Sequence, residues 1–264
     1  MMDGDPRQEI HDVLVIKGDE VLDDTLPVVR EVPLTIFLNG RELITLVTTG
    51  DANRALALGF LLSEGFISNR GDLISLRDDP EVGTVEVEVS GDLSMVEKLW
   101  ERRTVTSGCG KGATFYSVLD SLHARPVTSE LRITPRQVYH LMAELNRMSG
   151  LYRATRGVHN SALADEEGIL LFRDDIGRHN AVDKIRGAAF LEEISLEDKL
   201  LITTGRLSSE IIIKVAKMSI PILVSRSAPT SLALDLAKRV KMTLVGYVRG
   251  ERMTVYTGGE RIKV

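Results

Sequence analysis

From Lys199 onward the chain repeats a short apolar strand followed by a polar loop three times, and in the first two repeats a helix follows. Leu200-Leu201-Ile202-Thr203 meets Thr204-Gly205-Arg206, with a helix expected to open at Ser208 or Ser209. Ile222-Leu223-Val224 meets Ser225-Arg226-Ser227-Ala228-Pro229-Thr230, with a helix expected from Ser231 to Val240; Thr243 to Tyr247 then meets Val248-Arg249-Gly250-Glu251-Arg252. Right-handed crossovers turn this β-α-β-α-β order into three neighbouring parallel strands whose loops share one edge. Ligands of open parallel sheets bind outside the strand C-termini, where helix N-termini also favour anions. Arg206, Arg226, Arg249 and Arg252 collect on that edge with the hydroxyls of Thr204, Ser208, Ser209, Ser227, Thr230 and Ser231, so a small phosphorylated or nucleotide ligand is expected there. Neither a Walker pattern nor a Gly-x-Gly-x-x-Gly after a strand is present.

Upstream, the first ten residues read as a loose tail. Val13 to Ile16, Val32 to Leu38 and Leu43 to Val47 read as strands, the last two joined by Asn39-Gly40, a strong hairpin signal. Asp51 is expected to cap a helix through Leu56, Leu58, Phe60, Leu61 and Leu62, apolar on nearly every side and therefore buried, which Gly65 ends. Leu73 to Leu76 and Val82 to Val89 follow as strands, the second alternating valine with glutamate. These elements suggest a small α+β domain over residues 1–103 and a larger α/β domain over 104–264. In the latter, Thr134-Pro135-Arg136-Gln137 reads as a capping box for a helix that Gly150 stops. A hairpin strand is expected from Gly168 to Phe172, and Asp174 to Ile185 crowds polar side chains around another helix start.

The single cysteine, Cys109, lies in Gly108-Cys109-Gly110-Lys111-Gly112, just before a segment with helical spacing at Phe115, Val118, Leu119 and Leu122. A thiol before a helix and beside a lysine has its pKa lowered from about 8.5, which makes Cys109 a candidate nucleophile. One cysteine excludes an intramolecular disulfide and a Cys-rich metal cage. His159 and His179 stand in polar, glycine-containing segments, where either could orient a ligand or move a proton, whereas His11, His123 and His140 read as surface or packing residues. A net charge of −5 gives no general attraction to nucleic acid, no apolar run approaches a membrane span, and the polar N-terminus is unlike a signal peptide, so a cytoplasmic protein is expected.

Several long segments, among them Leu56 to Gly65, the cysteine loop, Gly157-Val158-His159, Asp175 to Lys184, Ser227 to Ala233 and Leu244 to Gly250, resemble the FdhD family, the sulfurtransferase accessory proteins required for active formate dehydrogenase. The resemblance implies a cytidine-deaminase-like three-layer α/β domain with a smaller N-terminal domain, and a homodimer. It implies that Cys109 takes sulfur as a persulfide from a cysteine desulfurase and passes it to the molybdenum or tungsten bis-molybdopterin guanine dinucleotide, so that a GDP-like ligand would also bind. The family's cofactor segment matches Tyr247, Val248, Arg249, Gly250, Glu251 and Arg252. With it, Thr204, Gly205, Arg206, Ser227, Ala228, Pro229, Thr230, His159 and His179 form the expected binding set. Two departures stand out: many members carry Cys-Gly-x-Cys-Gly where this chain has one thiol, and the zinc deaminase pattern is missing, since Asn160-Ser161 follow His159 and no cysteine pair exists. Two other readings stay open, a chaperone that delivers the guanine dinucleotide without moving sulfur, and a cysteine hydrolase using Cys109 with His159 or His179.

Overall fold

The computed structural model describes residues 5–91, 104–105, 111–112 and 126–264. Cys109, the expected helix after it and His123 lie outside the described residues. In chain order the elements are β1 (Gln8–Lys17), β2 (Glu20–Val29), β3 (Val32–Leu38), β4 (Arg41–Thr48), α1 (Asn53–Glu64), β5 (Leu73–Asp79), β6 (Thr84–Val89) and the two-residue strands β7 (Thr104–Val105) and β8 (Lys111–Gly112). There follow α2 (Pro135–Met148), α3 (Gly150–Thr155), β9 (His159–Ala164), β10 (Ile169–Asp175), α4 (Arg178–Leu191), β11 (Leu200–Thr203), α5 (Ser209–Lys217), β12 (Ile222–Ser225), α6 (Ser231–Arg239), β13 (Thr243–Arg249) and β14 (Arg252–Thr257).

The largest sheet is six-stranded in the order β10-β9-β11-β12-β13-β14, and its central strands β11, β12 and β13 are parallel, as the strand-loop-helix alternation requires. Their four buried residues apiece at β11 and β12 are why these strands read as unbroken apolar runs: both faces are covered. Leu163, Leu201, Leu223 and Leu244 face a core built with α4, α5 and α6, while Ala162, Ile202, Val224 and Val245 face α2 through Val138, Leu141, Met142 and Leu145. The capping box that starts α2 is present in both directions, Thr134 Oγ1 accepting from Gln137 N and Gln137 Oε1 accepting from Thr134 N. Gly150 does not simply end this helix. Ser149 separates α2 from α3 and accepts from Tyr152 N at 2.9 Å, so a second short helix starts where a stop is expected.

The second sheet, β4-β3-β6-β5, is joined by the Asn39-Gly40 turn, with both residues at positive φ as a type I′ hairpin needs. Val85, Val87 and Val89 point inward and Glu86 and Glu88 outward. Helix α1 fills the space between this sheet and α4, which explains its apolar residues on every side. It crosses α4 at backbone contact: a Cβ on Gly59 would fall 1.8 Å from Asp183 O, and one on Gly187 1.8 Å from Ala55 O. Gly65, at φ 92°, ends α1 as expected.

Asp51 is a correction. The N-cap of α1 is Ala52, in the left-handed region and without a side-chain bond, and Asp51 instead accepts from Lys184 Nζ at 2.6 Å and from Arg7 at 3.0 Å. Neither are the first ten residues loose throughout: Arg7 also pairs with the buried Asp174 at 2.6 Å, and β1 begins at Gln8. Among the described residues no helix is long and apolar enough to cross a membrane.

Candidate functional site

The segment Asp174 to Lys184 divides its polar residues between scaffolding and exposure to the strand-end edge. Lys184, fully buried, donates to Thr49 Oγ1 at 2.8 Å and pairs with the fully buried Asp175 at 2.7 Å. Asp175 in turn accepts from Gly177 N and Asn180 Nδ2, both at 2.9 Å, through Oδ1. This carboxylate fixes the first turn of α4 and hence where Arg178 and His179 stand. Asp183 pairs with Lys214 at 2.6 Å and accepts from Ser63 at 2.7 Å, fastening α1 and α5 to the same helix.

Arg178 and His179 lie near His159 at the start of β9 and Arg206 after β11, and both arginines act electrostatically on both imidazoles. Thr204 holds the histidine strand in place: its Oγ1 accepts from Asn160 N at 3.0 Å and lies 3.4 Å from His159 Nδ1. Burial, reinforced by Arg178 and Arg206, holds the His159 pKa below its ordinary value. Burial first and the neighbouring cations Lys214 and Arg178 second lower that of His179 to about 3. Glu210 Oε2 lies 3.4 Å from His179 Nε2, but with the imidazole neutral this contact is not an ion pair. The unfolded chain takes this proton near 6.5 and the folded chain only near 3, so the stability that neutral His179 contributes is full above about pH 6.5 and is lost as pH falls toward 3. In a proton NMR titration the resonance assigned through His179→Gln is expected to show no midpoint near 6.5; a midpoint there would show a solvated imidazole.

On the other face of the sheet, toward α2, the strand ends open into a cleft of about 420 Å³. Tyr139, Tyr152, Arg153 and Arg156 line it from α2, α3 and the residue after α3, and Arg226, Val248, Arg249 and Gly250 from the ends of β12 and β13. Arg156 lies over the Tyr152 ring at 5.2 Å. Four guanidiniums and two aromatic rings around one concavity suit a ligand that is both anionic and planar.

The expected binding set is therefore divided. Val248, Arg249 and Gly250 line the cleft, beside Arg226 of the same edge, whereas His159, His179, Thr204 and Arg206 group near the start of α4. Tyr247, in the left-handed region, donates its backbone N–H to Ser227 O at 3.1 Å and places its exposed ring under Arg249 at 4.5 Å, while Glu251 and Arg252 lie exposed at the β13-β14 turn. Several loop hydroxyls serve the protein itself: Ser227 Oγ donates to Thr204 O at 2.9 Å, Ser225 Oγ donates to Gly205 O at 2.7 Å, and Thr230 Oγ1 accepts from Ala233 N to cap α6. Gly205 is buried beneath Arg178, and Ala228 and Pro229 run beside Leu207, which is bridged to Pro229. Sequence reasoning missed Tyr139, Tyr152, Arg153 and Arg156, because no motif links α2 and α3 to the strand ends. It also missed Asn160, wholly buried on the α2-facing side of β9, whose side-chain amide has no partner among the described residues. No group of three potential metal ligands occurs among the described residues.

The fold and the site define a mixed α/β protein with arginines gathered at its strand ends, and comparison with known proteins narrows this class. Residues 29–263 match the FdhD/NarQ family, and the chain belongs to that family. It is 41% identical over 235 residues to the sulfur carrier protein FdhD of Bacillus subtilis (strain 168), covering 89% of this chain and 90% of that protein. It is 39% identical over 259 residues to the sulfur carrier protein FdhD of Halalkalibacterium halodurans, covering 97% and 96%. A crystal structure described as that of a candidate formate dehydrogenase accessory protein from Desulfotalea psychrophila superposes with a TM-score of 0.81 at 27% identity, over 98% of this chain and 100% of that one.

Proposed function

We propose that this protein is a sulfur carrier serving formate dehydrogenase: Cys109 accepts sulfane sulfur from a cysteine desulfurase as a persulfide and passes it to the molybdenum or tungsten bis-molybdopterin guanine dinucleotide. In the first step the Cys109 thiolate attacks the outer sulfur of the donor persulfide, the donor cysteine leaves as thiolate, and a new persulfide forms on Cys109. In the second step the S–S bond of the Cys109 persulfide breaks, Cys109 leaves as thiolate, and the outer sulfur passes to the cofactor, which is cargo and not a resident group and which, in its metal-reduced state, supplies the two electrons that bring that sulfur to the sulfide level. Residues 104–264 would form the cytidine-deaminase-like domain and 1–103 the smaller one.

The observation that supports the cofactor half of this reading is the cleft beside β12 and β13. Its arginines suit the phosphates of a guanine nucleotide, and Tyr139 or Tyr152 offers a face for the base. Isothermal titration with GDP is expected to give one saturable site. Arg226→Ala and Arg156→Ala should each weaken it by roughly tenfold or more, as loss of a charge-assisted hydrogen bond does. GDP binding unchanged in both variants would remove the cleft from the reading.

A further inference from the structure

Helix α3 brings Tyr152 and Arg153 to the cleft, and Arg156 reaches it as the C-cap. At six residues α3 is too short to hold its own shape, since isolated helices are marginal below about 12–15 residues. Both its ends are held from outside. Ser149 Oγ accepts from Tyr152 N at 2.9 Å and donates to Asp174 Oδ2 at 2.8 Å, so the hydroxyl that caps α3 is itself oriented by a buried carboxylate. The other oxygen of Asp174 accepts from Arg7 Nη1 at 2.6 Å, and Asp5 and Asp51 hold the same guanidinium at 2.8 and 3.0 Å. At the far end a Cβ on Gly157 would fall 2.6 Å from Val29 Cγ1, so the chain leaving α3 rests on the end of β2. Arg7 and Val29 belong to one base, because Arg30 N donates to Arg7 O at 2.8 Å and closes the foot of β1 onto that of β2. The foot of the β1-β2 ribbon thus clamps α3 at both ends.

We propose that Arg7 is a positioning residue for the cleft: through Asp174 and Ser149 it fixes α3, and with it Tyr152, Arg153 and Arg156, without touching the ligand. The inference rests on the reading of the cleft as the nucleotide site. Without its cation Asp174 is a lone buried carboxylate, which relaxes by turning toward water and so releases Ser149. Helix α3 then loses its cap and spends less time in the shape that completes the cleft. A ligand must order the helix as it binds, and its apparent affinity falls by the fraction of molecules that are already ordered. Linkage makes the effect mutual: a ligand that fixes α3 also tightens the foot of the ribbon.

GDP titration of the full chain, together with amide exchange followed by NMR, tests this. Arg7→Gln should raise the GDP dissociation constant roughly tenfold and speed exchange of the Tyr152 and Arg156 N–H groups by a similar factor, while the amides of α2 keep their wild-type rates. Arg7→Lys, which keeps a cation for Asp174, should recover most of both losses. In the wild type, saturating GDP should slow exchange of the Arg30 N–H; in Arg7→Gln it should not, a coupling that a general loss of stability does not remove. If Arg7→Gln fails to fold, Ser149→Ala decides, because it cuts the relay with Arg7 still paired to Asp174: GDP should then lose most of its effect on Arg30. Wild-type GDP affinity in Arg7→Gln, unchanged α3 exchange there, or full GDP protection of Arg30 in Ser149→Ala would each overturn the relay and leave the cleft standing. No GDP binding by the wild type would remove the cleft and the relay together.

Discussion

Replacing Cys109 by alanine is expected to abolish sulfur loading. Incubated with a cysteine desulfurase and cysteine, the wild type should gain one sulfur atom by intact mass, reversible with a thiol reductant, and the variant none. The expectation is all-or-none because the chain contains one cysteine, so no neighbouring thiol can accept the sulfur in its place. In a cell lacking this protein, the variant should restore no formate dehydrogenase activity. A delivery chaperone predicts the opposite pairing of results: Cys109→Ala would restore activity, whereas variants of the Arg-lined cleft such as Arg226→Ala would not. Equal sulfur gain by the variant would instead show that the mass change lies elsewhere on the chain and would dismiss Cys109 as carrier.

The second large effect concerns stability. Lys184→Met keeps most of the side-chain volume but leaves Asp175 buried with no cation beside it, and breaking a buried pair in this way costs about 3–5 kcal/mol. Because Asp175 also holds the first turn of α4 through Gly177 and Asn180, the loss should extend to the placement of Arg178 and His179. Urea titration followed by circular dichroism should show the midpoint falling with the slope unchanged. Asp175→Asn added to Lys184→Met should recover part of the loss, since a neutral amide is far cheaper to bury than a lone carboxylate. A Lys184→Met midpoint equal to wild type would mean that solvent reaches this pair.

The three parallel strands were legible because each apolar run is short and bounded by a polar loop, and because the first two are followed by a helix of regular period. The all-round apolar character of α1 was legible for a related reason: only a helix covered on every side tolerates Leu56, Leu58, Phe60 and Leu61 together. What stayed hidden depends on distance along the chain. Asp51 has the composition of a helix cap, yet its carboxylate is drawn to Lys184, 133 residues away, and to Arg7. The cleft was half legible for the same reason, since Arg226 and Arg249 sit on predictable strand ends while Tyr152 and Arg156 reach them from a six-residue helix and its C-cap, with no motif of their own. Of the β1-β2 ribbon only Val13 to Ile16 was legible, within β1; its full length and β2 escaped because the residues alternate weakly, with apolar side chains exposed on both faces.

The crossing of α1 and α4 at Gly59 and Gly187 also bears on the strand-end loops. Two helices whose backbones meet at these glycines cannot approach more closely, and a side chain at either position would push them apart. Gly59→Ala or Gly187→Ala would therefore act on the strand-end loops by displacing α4, which carries Arg178 and His179 in its first turn, and not by touching a ligand.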